Sequence, residues 1–206
     1  MEVVGKLARK RKTKDPCPCC FLNKARCICA KIPTLDLKTR LCLVVHAKEL
    51  KRTTNTGRLA IKALINSEMR IRGDGTEALD LSDLLNSRYQ TLLFYPSADA
   101  VDLTTEFLAK DPRPVQLIVP DGNWRQASKV HYRHHELKDV PRVMIKAPNL
   151  ATQHLRAENT PEGMATLEAI AQALGIIEGA PVKEALMGLY LAKLEGTLQG
   201  RGTLKD

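Results

Sequence analysis

Apolar residues along this chain gather in two kinds of pattern. Largely apolar stretches at 41–46, 91–95, 115–119 and 142–146 read as strands buried on both sheet faces. Segments 56–66, 125–134, 160–177 and 181–194 instead space their apolar residues at helical intervals. In the third of these, Met164, Leu167, Ala169, Ile170, Ala173, Leu174 and Ile177 form the apolar face, and Thr160-Pro161-Glu162 supplies an N-cap, a first-turn proline and a first-turn acid. The stretch 67–88 reads as a polar connection holding one short apolar helix or strand. At least four strands alternating with helices predict an α/β domain with a mostly parallel sheet flanked by helices, the last two helices covering a sheet face. No internal repeat is present.

Length and charge add to this picture. The 206 residues suffice for one main domain with an appendage. A formal charge of +9 and a pI near 9.3 point to a polyanionic partner, since Lys and Arg gain affinity by releasing counterions from phosphates; a merely soluble basic protein is the plainer alternative. Residues 1–15 form a basic arm carrying Lys6, Arg9, Lys10, Arg11, Lys12 and Lys14. The arm lacks the apolar centre of a signal peptide and the apolar face of a membrane anchor, and no apolar stretch approaches the ~18 residues of a membrane span. The expected location is the cytoplasm, without membrane association.

Five of the six cysteines lie between Cys17 and Cys29, too close together for a useful disulfide framework. Within residues 16–33, Cys17-x2-Cys20-x6-Cys27-x-Cys29 offers four thiolates, enough for a closed tetrahedral zinc knuckle. Soft sulfur ligands disfavour Mg and Ca. Cys19 could substitute for Cys20, although the x2 spacing closes the chelate turn more naturally, and a chance cluster of free thiols is the plain alternative. Lys24 and Arg26 lie inside the loop and would offset the negative charge of a four-thiolate centre. With every position filled by protein, such a zinc is structural. A cytidine-deaminase reading fails, because no His-x-Glu precedes the Pro-Cys-x-x-Cys.

Chemistry concentrates where the 115–119 strand ends. Pro120-Asp121-Gly122-Asn123-Trp124 places a carboxylate, an amide and the only Trp in a strand-to-helix turn, where α/β proteins commonly bind ligands; Asp121 as a simple helix cap is the competing reading. Asn55-Thr56-Gly57-Arg58, after Lys51 and Arg52, could hold an anion at a helix start or act as a plain cap. His46 is read as a surface histidine before a ligand or base. His131, His134 and His135, on a helix with Arg125, Lys129 and Arg133, read as a basic RNA-facing surface.

In combination these elements resemble the DTW-domain family of tRNA-uridine aminocarboxypropyltransferases. The resemblance runs from about Cys17 to about Leu174 and rests on four ordered elements: the Cys cluster, Asn55 to Arg58, Asp121 to Trp124 for an Asp-x-Thr-Trp signature, and Thr166, Glu168 and Ala169 for a Ser-Thr-x-Glu-Ala element. Asn123 stands where the signature has Thr, and Ala165 where Ser is usual. The amide keeps one acceptor and adds donors.

The resemblance implies a knotted SPOUT-like α/β domain over 34–206. Its loops at one end of the sheet would enclose S-adenosylmethionine through Tyr95, Pro96, Ser97, Pro120, Gly122, Asn123, Trp124, Thr166 and Glu168. It implies transfer of the 3-amino-3-carboxypropyl group to N3 of a uridine, in the variable loop of tRNA, with release of methylthioadenosine. Asp121 would be the catalytic residue, as base or as anchor for the donor's positive charge. Asn55, Thr56, Arg58 and Arg125 would bind substrate, and Arg125, Arg156 or amides near Gly122 would meet the donor's carboxylate. A monomer is expected. The alternatives are a SPOUT-type RNA methyltransferase and a non-catalytic zinc-containing RNA-binding protein.

Overall fold

The computed structural model describes residues 13–75, 78–146, 155 and 163–202, leaving aside the Trp124 side chain. The basic arm up to residue 12, the Thr160-Pro161-Glu162 cap and Arg156 lie outside the described residues.

Six strands form one sheet: β1 (Arg40–His46), β2 (Ser67–Arg72), β3 (Gln90–Phe94), β4 (Val101–Asp102), β5 (Val115–Asp121) and β6 (Arg142–Met144). Their order is β2-β1-β5-β3-β6-β4, and every pairing is parallel. Helices α1 (Gly57–Ala63), α2 (Thr105–Leu108), α3 (Trp124–Arg133), α4 (Thr166–Ile177) and α5 (Ala180–Arg201) connect and cover it. The mostly parallel α/β architecture read from the sequence is therefore present.

β5 lies between β1 and β3, and its alternation divides the core. Val115, Leu117 and Val119 join the larger apolar cluster with α1, α4 and α5, while Ile118 joins the smaller one with Val130 of α3. Asp121 continues the first set, so its side chain belongs to the α1/α4 side of the sheet. Because all strands are parallel, their carboxyl ends gather on one edge, where β5 falls between chain segments running to opposite sides.

Several boundaries differ from the sequence reading, among them the ends of α1 at Ala63 and of β6 at Met144. β2 is a strand of partly exposed polar residues at the sheet edge, its Glu68 and Arg70 engaged with Arg40 and Asp83; such a strand lacks the apolar run that marks a central one. Residues 163–165 are not helical and α4 begins at Thr166. Helix α5 continues to Arg201, where Gly202 ends it in a left-handed conformation. No helix among the described residues is long and apolar enough to cross a membrane.

The cysteine knuckle does not stand apart from this body. Cys17, Cys20, Leu22 and Ile28 are buried in the same cluster as α4 and α5. A Cβ placed on Gly196 of α5 would come within 2.7 Å of Leu22 Cδ1, so this glycine lets the knuckle seat directly on the helix.

Candidate functional site

Asp121 ends the central strand and is only 6% exposed. Burying a carboxylate demands polar partners, and two side chains supply them. Asn55 Nδ2 donates to Oδ2 at 2.5 Å, and Thr166 Oγ1 donates to Oδ1 at 2.6 Å. One partner comes from the β1–α1 loop and the other from the first residue of α4, so three elements converge on one carboxyl group. Each oxygen is addressed separately, which fixes the plane of the carboxylate.

Residues 55–58 divide the work of assembling this centre. Asn55 holds Asp121 and also accepts from the Arg58 amide at 3.3 Å. Thr56 Oγ1 accepts from the Leu167 amide at 3.1 Å. That bond caps α4 from a distant loop, a role its own N-cap residue, Ala165, has no side-chain oxygen to perform. Glu168 contributes half of a capping box, its carboxylate accepting from the Ala165 amide at 3.3 Å. At Gly57 a Cβ would lie 3.1 Å from Asp121 Oδ2 and 3.0 Å from Leu43 Cδ2; glycine is what permits this approach. Arg58 departs from the centre, and its guanidinium sits 3.9 Å above the Phe21 ring of the knuckle.

The cap of α3 is Asn123. Its side chain accepts from the Gln126 amide at 2.9 Å, and the Gln126 side chain accepts from the Asn123 amide at 2.9 Å. The residue at the signature's Thr position thus does with an amide oxygen what a hydroxyl oxygen would do. Asp121 is no helix cap. Pro120, Gly122 and the Trp124 backbone lie at the same sheet edge, with Arg125 exposed in the first turn of α3. Tyr95, Pro96 and Ser97 follow β3 at that edge, but Tyr95 packs with the α3-side cluster, stacked on His131 at 5.5 Å. The structure therefore joins Asn55, Thr56, Asp121, Thr166 and Glu168 into one unit and places the Tyr95 ring on the opposite face. The three helix histidines separate as well: His134 is buried against Glu136 at 2.8 Å, His131 is sandwiched between Tyr95 and Tyr132, and His135 lies in a following 3₁₀ turn.

The knuckle brings Cys17, Cys20, Cys27 and Cys29 together, all four sulfurs within 4.8 Å of one another. The closest pairs are 3.6, 3.6 and 3.8 Å apart. Zinc–sulfur bonds of about 2.3 Å in a tetrahedron give sulfur–sulfur edges of about 3.8 Å, so the donor set fits a zinc ion. Backbone amides of Cys20 and Cys19 hold the Cys17 thiol down to about 6, toward the thiolate a metal needs. Burial pushes Cys29 up, reinforced by the Cys27 and Cys17 sulfurs, a penalty that a central cation reverses. Phe21 adopts φ of 59° in the turn between the ligand pairs, conformational strain that presents its ring to Arg58.

Lys193 of α5 is a residue the sequence does not flag. Its side chain is 1% exposed, and Nζ donates to the Cys20 carbonyl at 2.6 Å. Burial pushes its ammonium down to about 8, with the Cys20 and Cys17 sulfurs opposing the shift. Among the described residues no carboxylate forms an ion pair with it. A zinc tetrathiolate would carry a net charge of −2, which Lys193 and Arg58 would help to offset.

A family model described as the DTW domain matches residues 14–197. Among curated proteins, the chain is 28% identical over 189 residues to tRNA-uridine aminocarboxypropyltransferase 2 of Drosophila melanogaster, covering 88% of this chain and 74% of that protein. It is 25% identical over 172 residues to the protein of the same name from Macaca fascicularis and 28% identical over 170 residues to that of Mus musculus, covering 81% and 80% of this chain. It spans only 58% and 57% of the length of those two relatives. No solved structure matches the chain.

Proposed function

The chain belongs to the DTW domain family, and from that premise we propose that it is a tRNA-uridine aminocarboxypropyltransferase using S-adenosylmethionine as donor. The substrate atom is N3 of a uridine, in the variable loop of tRNA. The reading extends to a knotted SPOUT-like catalytic domain over 34–206, a structural zinc knuckle over 16–33 and a basic arm over 1–15, acting as a monomer in the cytoplasm. Most of the segment leading into Thr166 lies outside the described residues, at 147–154 and 156–162.

One observation carries the proposal: a buried carboxylate, fixed at both oxygens by Asn55 and Thr166, at the carboxyl end of the central parallel strand. The donor set suits a cationic ligand, since Asp121 offers negative charge where the strand ends meet and exposed Arg125 offers a partner for a carboxylate. S-adenosylmethionine supplies an alkyl carbon activated by its sulfonium, with methylthioadenosine as the group that leaves. Uridine N3 carries a proton at neutral pH and attacks poorly until that proton is taken. Asp121 accepts it, and the Asn55 and Thr166 bonds keep the carboxylate aimed. The loops at 95–97 and 120–124 and the residues Thr166 and Glu168 border the donor, and Asn55, Thr56, Arg58 and Arg125 serve the substrate side. The four thiolates fill a zinc coordination sphere, so the metal supports the fold and takes no part in transfer.

A second role for Asp121 is favoured by the donors already on both oxygens, which suit a permanent charge anchoring the cationic donor. Product analysis with purified protein, tRNA and S-adenosylmethionine tests the reaction class: methylthioadenosine is expected, whereas S-adenosylhomocysteine would make the protein a methyltransferase. Asp121→Ala should abolish product and lower the melting temperature through the two hydrogen bonds it removes, while the zinc content stays near wild type. If the base role holds, the variant still binds S-adenosylmethionine; if the anchor role holds, that binding is lost. RNA binding without any binding of S-adenosylmethionine by the wild type would instead indicate a non-catalytic RNA-binding protein.

A further inference from the structure

Helix α3 starts beside Asp121 and leads away from it. Arg125, Lys129, Tyr132 and Arg133 stand at positions i, i+4, i+7 and i+8, one stripe of the helix. Arg125 and Arg133 are exposed, and Tyr132 is 70% exposed. From Arg125 to Arg133 the stripe is about 12 Å long at 1.5 Å per residue.

Two neighbouring elements widen this cationic surface. Arg72, at the end of β2, donates from Nη1 to the Gln126 carbonyl of α3 at 3.3 Å, while its Nε is buried without a partner. Lys48, in the turn after β1, is exposed. The charges are near enough to be felt mutually: Arg133 foremost, and then burial, Arg125, Arg72 and Lys48, lower the Lys129 ammonium from its usual value. Among the described residues none of Lys48, Arg72, Arg125, Lys129 and Arg133 forms an ion pair with a carboxylate. Glu49, an acid acting on nearby His46, is itself buried and paired with Arg52 at 3.0 Å. Five cations that form no ion pair among the described residues disfavour one another until an anion arrives.

The exposed Tyr132 ring has a built support. It meets His131 edge-on at 4.5 Å, and His131 stacks on Tyr95 at 5.5 Å. Arg142 Nε donates to His131 Nδ1 at 3.3 Å, which fixes the middle ring. An aromatic ring backed in this way and left open among uncompensated cations suits a nucleobase flanked by phosphates better than it suits a lipid surface or an acidic protein.

We propose that the outer face of α3, with Arg72 and Lys48, is the track that holds the RNA backbone leading into the Asp121 site, and that Tyr132 stacks on an unpaired base there. This rests on the tRNA reading above. The test is fluorescence-anisotropy binding of an unmodified tRNA transcript over a salt series, with Lys129→Gln/Arg133→Gln, Tyr132→Ala and Tyr132→Phe proteins checked for wild-type melting. Removing two phosphate contacts should weaken binding and flatten the salt dependence of log K by about 1.5. Tyr132→Ala should lose between about 5-fold and about 150-fold in affinity, the worth of one stacked base, with an unchanged salt slope, and Tyr132→Phe should bind as wild type. Wild-type affinity and slope in the double variant would overturn the track. An unaltered affinity in Tyr132→Ala, or equal losses for tRNA and for a blunt RNA duplex without unpaired bases, would overturn the stacking role. Methylthioadenosine release by the wild type, followed in parallel, separates the two ideas: if release fails while the variants behave as stated, the reaction is wrong and the track stands.

Discussion

Replacing Thr166 by Val removes a donor to Asp121 while keeping a branched side chain of nearly the same volume at the first position of α4. The lost hydrogen bond, 2.6 Å to Asp121 Oδ1, ends on a charged group only 6% exposed. Bonds of this kind contribute about 1.5–3 kcal/mol. For a chain of this length about 2–4 °C of melting temperature accompany each kcal/mol, so a fall of roughly 3–12 °C is expected. A methyl carbon in place of the hydroxyl also cannot approach the oxygen as closely, which turns the carboxylate from its aim. Misplacement approaching 1 Å costs about 100-fold in rate. Thr166→Ser keeps the donor and should retain most of both properties. The assay pairs thermal melts with single-turnover product formation in a double-mutant cycle against Asp121→Asn, where a coupling energy of about 1.5 kcal/mol or more is expected. Additive effects of the two substitutions on stability and rate would refute the claim that Thr166 acts through Asp121.

Two further predictions concern the periphery of the site. Lys193→Met should lose zinc to a chromogenic chelator about 10-fold more readily than wild type, as expected when a group supporting a metal centre is removed; in the chelator-stripped protein the same change should be neutral or stabilising, because it deletes a buried charge. Equal zinc retention would contradict the charge-balance account. His46 is lowered below its usual 6.5 by burial, then by Arg72, Lys48 and Lys129. The unfolded chain therefore binds this proton first as pH falls, and folded-state stability drops as acid takes the solution below 6.5. His46→Gln should flatten the stability profile between about pH 5 and 7 in denaturant titrations; an unaltered slope would remove His46 from the acid response.

What the sequence disclosed follows from how local each signal was. β1, β3 and β5 are apolar on both faces and could be read directly, and the cysteine spacing announced the knuckle. β2 could not, because an edge strand with Glu68, Arg70 and Arg72 has no apolar run to find. The start of α4 was obscured by Thr160-Pro161-Glu162, a sound capping signal, whereas Thr166 begins the helix under a cap from Thr56, 110 positions earlier. Asp121, Asn55 and Thr166 were each recognisable as motif members. Their meeting at one carboxylate depends on the parallel order of β1 and β5, which no local pattern encodes. Lys193 reads as an ordinary polar residue of an amphipathic helix until the knuckle is seen to cover it. Asn123 looked like a departure at the reacting centre; its capping bonds to Gln126 give it a structural role.

The most direct test of the account is mass spectrometry of tRNA nucleosides after incubation of unmodified tRNA with the protein and S-adenosylmethionine. The account predicts a uridine enlarged by one 3-amino-3-carboxypropyl group, absent with Asp121→Ala. A methylated nucleoside, an unmodified tRNA, or full modification by the Asp121→Ala protein would contradict it.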